Sequence, residues 1–497
     1  MNRIASRKSA WSLTWTCTNR RAFITNVAFS CVMLLLAGCS YQHRMKNVVA
    51  SYERGDFNKA VRELEPVLAD RRDSDNDRII YELDAGTIYA AAHEIGQSYQ
   101  ALHRADDLMW KYLDDAAETR VTAIAAAILT NQTVIPYVGR SYDRIMCCTY
   151  QALNHLELGK LDAAGVSLRR AYEWQRDAVE KNAKEIEALE SAANANSNEK
   201  GYDSNAAMSD PSLKGGLDSA YGPLQNMSGY AEFAIPYATY LQGVQHALTG
   251  RADTLAQATY EFRRAASMLN SSDATYALQD AARCESANTG IALAPRVYVI
   301  CESGMGPWLD ELRIDIPLFM RQWPYIGAAF PVLKFNEGSP SAFTARAGNA
   351  SYPSCVLTDM DRVVGGEFKQ RLPAIIALTL VSTATKAIAT YVAQQAAMSS
   401  NNNAAWMIAI AGAIYQASVN SADLRIWLTL PKRVLYASFP APAPAMGTTT
   451  ASIEIDLGDG QRIGPIATES NQSTIVHVRV PRAGVAPSIR IMRFGAK

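Results

Sequence analysis

Three carboxylates near a glycine pair form the densest group of potentially reactive side chains in the sequence. Asp359, Asp361 and Glu367 surround Gly365-Gly366. Carboxylates at this spacing can bind a cation or act as general acid and base. The polar, glycine-containing context favours a solvated loop over a catalytic pair.

A second constellation is Asp423-x-Arg425-x-Trp427, followed by Pro431. Alternate residues of a β-strand share one face, so we expect Asp423 to pair with Arg425 there. Trp427 would then pack beside the guanidinium group. The pattern favours a structural contact between a sheet and neighbouring helices over a binding site.

The run Gly304-Met305-Gly306-Pro307 follows an apolar stretch. It lacks the Lys and the Ser or Thr of a phosphate-binding loop, so we expect a turn. The six histidines are scattered, and no cysteine pair has metal-ligand spacing. A disulfide between Cys284 and Cys301 stays open. We therefore predict no catalytic residue, no metal and no cofactor, and an enzymatic role has little support.

The N-terminus resembles the signal of a bacterial lipoprotein. Basic residues precede an apolar run that ends in Leu36-Ala37-Gly38-Cys39, the lipobox pattern. The resemblance implies that residues 1–38 are removed after Gly38 and that Cys39 is lipidated. Ser40 follows the cysteine, which favours the periplasmic face of the outer membrane. The alternatives are an uncleaved anchor, for which the apolar run is short, and lipidation at Cys31.

The charge balance of the chain depends on this signal. The whole sequence has 48 basic and 48 acidic residues, but residues 1–38 contain five basic residues and no acidic one. Without them, the net charge is about −5. A mildly acidic protein has no electrostatic attraction to nucleic acid, so we expect no nucleic-acid partner.

The elements that would position these residues fall into two predicted domains. Residues 39–285 show helical periodicity with recurring Gly-to-Ala spacings, at Gly55–Ala60, Gly96–Ala101 and Gly159–Ala164. Glycine permits a tight turn between helices, and alanine permits close packing. We predict degenerate tetratricopeptide-like repeats, with a plain helical bundle as the alternative. Residues 191–229 are rich in small and polar residues and are expected to form a long mobile loop.

Residues 290–497 change to strand-like patterns and predict an α+β domain with a mostly antiparallel sheet. A helical hairpin is expected at 372–419. Membrane insertion of this hairpin is the alternative, which Lys386 near the middle of the first helix disfavours.

The chain resembles an uncharacterised family of proteobacterial lipoproteins with repeat-like helices and a distinct C-terminal domain, over most of residues 39–440. The shared marks are Tyr142-Asp143-Arg144, Ala152-Leu153-Asn154 with Leu156, Arg169-Arg170, Tyr237 with Tyr240-Leu241-x-Gly243, Glu302-Ser303-Gly304-Met305-Gly306-Pro307, Ile314-Asp315-Ile316-Pro317 and Ala422-Asp423-x-Arg425-x-Trp427-x-x-Leu430-Pro431.

The sequence departs from the family at Asp143, where the family has Glu, and at Ser167, where it has an acidic residue. The family is associated with lipoproteins that activate penicillin-binding proteins. The resemblance therefore implies a cell-envelope setting, with envelope proteins and cell-wall synthesis machinery as candidate partners.

These observations predict a lipid-anchored interaction or assembly protein that binds envelope proteins through its helical repeats. Two alternatives come from other classes. One is an envelope enzyme acting through the C-terminal α+β domain. The other is a secretion or export component whose hairpin at 372–419 associates with the membrane.

Overall fold

The computed structural model describes residues 41–72, 75–114, 124, 133, 135–200, 202–230, 233–288, 293–318, 325–399, 421–444 and 450–495. The predicted signal at 1–38, with Gly38 and Cys39, lies outside these ranges, as does the second half of the predicted hairpin at 400–420. The described part has helices first and sheets afterwards, which confirms the predicted combination of a helical part and an α+β part.

Helices make up the described chain up to Asn288. They are α1 Tyr41–Glu53, α2 Phe57–Ala69, α3 Arg78–Ala91, α4 Ile95–Asp114, α5 Ser141–Glu157, α6 Leu161–Lys200, α7 Ser204–Met208, α8 Pro211–Gln225, α9 Pro236–Thr249, α10 Ala252–Ser267 and α11 Thr275–Asn288.

Glycine turns separate successive packed helices, as the spacing predicted. Gly55, Gly159 and Gly250 all have positive φ angles, of 78°, 70° and 71°, a conformation that costs glycine little. The turn near Gly96 is different, because Gly96 lies inside α4 and His93 has the positive φ angle of 64°.

The prediction of a long mobile loop at 191–229 is wrong. Helix α6 continues to Lys200, and α7 and α8 follow. The carboxylate of Asp203 accepts hydrogen bonds from backbone N–H groups at the start of α7, and Asp210 does the same for α8. The small and polar residues of this segment therefore include helix caps, and α8 also has an apolar face formed by Leu213, Leu217, Tyr221 and Leu224.

The remaining elements are β1 Arg296–Ser303, β2 Trp308–Pro317, β3 Tyr325–Lys334, β4 Thr344–Ala347, β5 Ala350–Pro353, β6 Cys355–Asp359, α12 Met360–Ser399, β7 Arg433–Pro440, β8 Ala451–Asp456, β9 Arg462–Thr468, β10 Gln472–Val480 and β11 Ser488–Gly495. They form a five-stranded sheet in the order β11-β10-β1-β7-β6, a four-stranded sheet in the order β5-β4-β8-β9, and the β2-β3 pair.

The strand pairings are antiparallel except for β1 with β10, in agreement with the mostly antiparallel prediction. Every residue of β1 is buried. The described residues from Tyr41 onwards form one compact unit. One large hydrophobic cluster spans them from Tyr41 to Met492, beside a small second cluster of Ile124, Ala192 and Leu378. The parts predicted as domains 39–285 and 290–497 therefore share one core.

Helix α12 begins at Met360, well before the start predicted for the hairpin at residue 372. Asp361 and Glu367 consequently lie on a helix and are buried, so the predicted solvated loop is wrong for them. Position 366 of this helix requires glycine, because a Cβ there would lie 2.8 Å from the Cα atom of Gly229. The helix is long and apolar enough to cross a membrane, and 61% of its apolar window is buried inside the protein.

Candidate functional site

The segment that contains Asp423, Arg425 and Trp427 belongs to neither a strand nor a helix, so the predicted strand is wrong. The ion pair is present: the Arg425 Nε and Nη2 atoms donate to the two Asp423 oxygens at 2.8 and 2.7 Å. Arg425 also donates to the carbonyl oxygens of Asn76 and Ile135 at 3.1 and 2.9 Å. Its guanidinium group therefore links the segment to two loops of the helical part.

Trp427 does not pack beside this guanidinium group. The Arg425 guanidinium instead lies over the Tyr137 ring, 5.7 Å from its centroid. The Trp427 ring is fully buried against Tyr150, with 5.7 Å between centroids, and its Nε1 atom donates to Thr429 Oγ1 at 3.1 Å. Trp427 is therefore a core residue where this segment packs against the helical part.

Gly304, Gly306 and Pro307 form the predicted turn after β1. Gly304 has a φ angle of 76°, and the Gly306 N–H donates to the Leu430 carbonyl at 2.7 Å. A Cβ on Gly306 would lie only 3.4 Å from the Pro431 carbonyl oxygen. The two sequence motifs therefore pack against each other and fix the start of β7.

Asp359 and Asp361 are in ion pairs with the start of β7. Asp361 accepts a short hydrogen bond from Lys432, and Asp359 lies 3.2 Å from Arg433. Burial raises the pKa of Asp361 to about 6, against the lowering effect of Lys432. The described residues contain no group of three or more potential metal ligands. The cysteines from Cys147 to Cys355 are free thiols, so a disulfide between Cys284 and Cys301 is absent.

A cavity of about 660 Å³ lies between α6, α12, the loop 135–140 and the segment 421–426. Much of its lining is apolar, and the apolar lining residues are Ile124, Ile135, Leu189, Leu309, Pro331, Val364, Phe368, Ile375, Leu378 and Ile426. Its volume is in the range of about 300–1,000 Å³ that is typical of small-molecule sites.

Charged side chains also line this cavity. The Arg371 Nη1 atom donates to Glu185 Oε2 at 2.5 Å and to Asn182 Oδ1 at 3.3 Å. Glu185 also lies 3.5 Å from Arg144 and 3.9 Å from Arg140. Burial acts to raise the pKa of Glu185, but these arginines outweigh it and lower the pKa to about 2. Glu185 is therefore ionised at neutral pH.

Two buried groups at the cavity have incomplete hydrogen bonding. Glu367 Oε1 accepts the backbone N–H of Ser141 at 3.2 Å, whereas Glu367 Oε2 and Arg371 Nε have no hydrogen-bond partner within the described structure. Burial raises the pKa of Glu367 despite the nearby Arg371. Buried polar groups are normally satisfied, but both of these atoms are covered by protein and do not face the open space of the cavity.

Asp143 positions the loop at the edge of this cavity. It accepts a hydrogen bond from the Arg140 N–H at 2.8 Å and a short one from the Tyr137 hydroxyl. Burial raises its pKa to about 7, while these two hydrogen bonds lower it. The Tyr142-Asp143-Arg144 motif was the available sequence signal, whereas Arg140, Glu185 and Arg371 were missed.

A second concave surface lies between α6, α9 and α10 and has a volume of about 830 Å³. We call it the helical groove. Val166, Tyr172 and Tyr260 line it and are exposed to solvent. The Arg264 guanidinium group lies over the Tyr172 ring, 4.6 Å from its centroid.

Comparison of the chain with protein-family models, with curated proteins and with solved structures finds no match.

Proposed function

We propose that this chain is a lipid-anchored interaction or assembly protein of the cell envelope, which binds partner proteins through its helical part. The proposal includes a lipid on Cys39, a position on the periplasmic face of the outer membrane, and degenerate tetratricopeptide-like repeats. The observation that carries it is the helical groove, because large apolar side chains line it and remain exposed to solvent.

The shape and chemistry of the helical groove fit a protein segment. Aromatic side chains are enriched at the centres of protein interfaces, and Tyr260 is 61% exposed although it lies on a packed helix. Helices α6 and α9 are close at the base of the groove, since a Cβ on Gly165 would lie 2.9 Å from Gln245 Nε2. Both signs of charge line the groove, with Arg169 and Asp253 among them.

An amphipathic helix is the occupant that these features favour. Its apolar face would cover Val166, Tyr172 and Tyr260, and its polar edges would meet the mixed charges. The family resemblance places candidate partners in the cell-wall synthesis machinery. The enzyme alternative has less support, because Asp359 and Asp361 are in ion pairs. The export alternative has less support because most of the apolar window of α12 is buried.

The test places a photo-crosslinking amino acid at Tyr260 in cells. Tyr325 is the matched control, since it is also an exposed tyrosine, at 52%, and lies outside the helical groove on β3. We expect position 260 to crosslink to one or two envelope proteins that position 325 does not reach. The Cys39→Ala variant should weaken these crosslinks because it removes the lipid.

Equal crosslinking patterns at positions 260 and 325 would contradict the proposal. A Tyr260→Ala variant provides a second measurement. It should fold normally, because the side chain is exposed, and it should lose co-purification of the crosslinked partner.

A further inference from the structure

The edge strands of the sheets differ in how their outer backbone groups are covered. An exposed edge presents unpaired N–H and C=O groups to other chains. Proline, which has no N–H to donate, lies in four of the edge strands: Pro317 in β2, Pro331 in β3, Pro353 in β5 and Pro465 in β9. These prolines make the four edges poor templates for pairing with another strand.

The five-stranded sheet has its edges at β6 and β11. On β6, the N–H of Val356 donates to Asp273 Oδ1 at 2.9 Å, and the N–H of Asp359 donates to the Tyr230 hydroxyl at 3.0 Å. Side chains of the helical part therefore occupy this edge. Strand β11 has neither a proline nor such a contact within the described structure.

The register of β10 and β11 shows which backbone groups of β11 point outward. The Gly304 N–H donates to the Val480 carbonyl at 2.8 Å, so the even-numbered residues of β10 direct their backbone groups at β1 and the odd-numbered ones at β11. Since Arg479 lies opposite Ser488, the even-numbered residues of β11 bond to β10. The odd-numbered residues of β11 direct their N–H and C=O groups away from the sheet, and these residues are Ile489, Ile491 and Arg493.

These outward groups are open to another strand. No described residue makes a hydrogen bond to any of them. Buried backbone groups are normally paired, so this edge of the sheet faces solvent. The side chains of Ile489 and Ile491 are half-buried, and Arg493 is exposed. Each of the three residues offers one donor and one acceptor to an antiparallel strand.

A second copy of the same strand fits this edge. In an antiparallel pair centred on Ile491, this residue lies opposite its counterpart, and Ile489 lies opposite Arg493. The two exposed arginines are then about 14 Å apart, which is longer than the screening length of about 8 Å at physiological salt. The other charged residue of β11, Arg490, is buried and pairs with Glu157. An acidic peptide would meet a single exposed charge, so the pattern favours self-pairing.

We propose that β11 pairs with β11 of a second copy of this chain, in antiparallel orientation and with Ile491 on the twofold axis. The two five-stranded sheets then join into one continuous sheet. Backbone hydrogen bonds hold the two copies together, and the isoleucines set the register. This pairing goes beyond the proposed function and uses a surface that shares no residue with the helical groove.

The first test measures association of the purified full-length protein in detergent by sedimentation velocity. Wild type should shift from monomer to dimer as its concentration rises. Ile491→Pro should weaken this association at least tenfold, because it removes an outward donor and no bond to β10. Circular dichroism on each variant verifies its fold.

Ser351→Pro is the matched control for this substitution and should associate like wild type. It places proline at an outward position of β5. The Ser354 N–H donates inward to the Phe343 carbonyl at 2.8 Å, and residues three positions apart in a strand face opposite sides.

The second test measures the register through disulfide formation. Residues opposite each other in a hydrogen-bonded pair have Cα atoms about 5.5 Å apart, a separation that a disulfide can span. Mild oxidation should therefore convert Ile491→Cys into a covalent dimer on a non-reducing gel. Arg493→Cys is the matched control, because its counterpart lies about 14 Å away. It should crosslink no more than wild type, whose own cysteines give the background.

A wild-type protein that is monomeric at every concentration would overturn the proposal, as would equal association of wild type and Ile491→Pro. Equal crosslinking of Ile491→Cys and Arg493→Cys would overturn the register. A monomeric chain that binds an extended peptide of another protein, and loses it in Ile491→Pro, would assign the edge to that protein instead. Crosslinking at Tyr260 is independent of each of these outcomes.

Discussion

Two buried charged regions of this molecule differ in the free space beside them and in the number of hydrogen bonds that their glutamates accept. The first, which we call the closed centre, surrounds Glu302 on β1. The Tyr150 and Tyr237 hydroxyls donate to its two carboxylate oxygens at 3.1 and 3.2 Å. His477 Nε2 lies 3.1 Å from one of them. The second region is the charged part of the cavity around Arg371.

Arg479 completes the closed centre. Its Nε atom donates to the Tyr52 hydroxyl at 3.0 Å, Nη1 to the Glu302 carbonyl at 3.1 Å, and Nη2 to the Thr429 carbonyl at 3.3 Å. The space beside these residues is about 10 Å³, roughly the minimum for a single water molecule. Both carboxylate oxygens of Glu302 and all three guanidinium nitrogens of Arg479 therefore have partners in almost no free space, whereas neither ring nitrogen of His477 makes a hydrogen bond within the described structure.

The cavity has about 660 Å³ of space, and Glu367 at its lining accepts a backbone hydrogen bond through Oε1 while its Oε2 atom has no partner within the described structure. Burying a charge is tolerated when its hydrogen bonds are made. The several bonds of Glu302 in a filled space therefore indicate a role in folding. The open space of the cavity is instead of a size that suits a ligand.

The largest expected effect comes from the same substitution, glutamate to glutamine, in each region. Glu302→Gln should lower the free energy of unfolding by about 3 kcal/mol, because Arg479 loses a buried counter-charge. Glu367→Gln should change it by less than about 1 kcal/mol, because this carboxyl accepts one backbone hydrogen bond and keeps that acceptor as an amide. Urea unfolding of both variants at pH 7 measures the difference.

Each of these variants is the control for the other, since both replace a buried glutamate by glutamine. Equal losses of stability would refute the distinction between the two regions.

A second prediction concerns pH and Asp84, which joins the closed centre through Thr429. The Thr429 N–H and hydroxyl donate to Asp84 Oδ1 at 3.0 and 2.6 Å. Burial raises the pKa of Asp84 from 3.8 to about 7, although these hydrogen bonds lower it. The folded state therefore binds a proton more tightly than the unfolded state does. The stabilising contribution of Asp84 is therefore full at low pH and is lost as pH rises from about 4 to 7.

Asp84→Asn should remove this part of the pH dependence, an effect of roughly 3 kcal/mol between pH 4 and pH 7. Unfolding free energies of wild type and variant at the two pH values measure it. An unchanged slope in the variant would show that Asp84 does not titrate in this range. Asp70→Asn, at an exposed carboxylate, is the control.

Local sequence patterns were enough to predict the features that depend on neighbouring residues. The strand at 297–300 is apolar and β-branched, and it became the buried β1. The Asp423–Arg425 pair formed although the predicted strand did not, because its members are only two residues apart in the chain. The turn at Gly304 formed because the positive φ angle there suits glycine.

The cavity could not be predicted, because its charged residues come from distant parts of the chain. In the sequence, each of Arg140, Glu185 and Arg371 resembles a charged residue on a solvent-exposed helix or loop. Only tertiary packing brings the three side chains together. The helix that carries Glu367 was predicted to start too late, since Gly365-Gly366 resembles a loop. Its glycines instead permit close contact with Gly229.

A third prediction tests the charged part of the cavity on the acidic side. Burial acts to raise the pKa of Glu185, but Arg371, Arg144 and Arg140 lower it from 4.5 to about 2. Its stabilising contribution is therefore present above pH 4.5 and is lost as pH falls towards 2, the opposite of Asp84. Arg371→Gln should reduce the loss of stability between pH 5 and pH 2 by about 1–2 kcal/mol. Unfolding free energies of wild type and variant at both pH values measure this loss of stability. An equal loss in the two proteins would contradict the conclusion that Arg371 lowers the pKa of Glu185.

The smallest expected effect comes from Lys386, a buried ammonium group on the same helix as Arg371. Burial lowers its pKa from 10.5 to about 8. The unfolded state therefore binds the proton more tightly, and stability should rise as pH increases from 8 to 10.5. Lys386→Met should stabilise the protein at pH 7 by up to about 1 kcal/mol, and this gain should shrink at pH 10. Lys334→Met, at an exposed position of β3, should show neither change. A loss of stability in Lys386→Met at pH 7 would mean that the charge, like Arg479, makes bonds worth more than its burial costs.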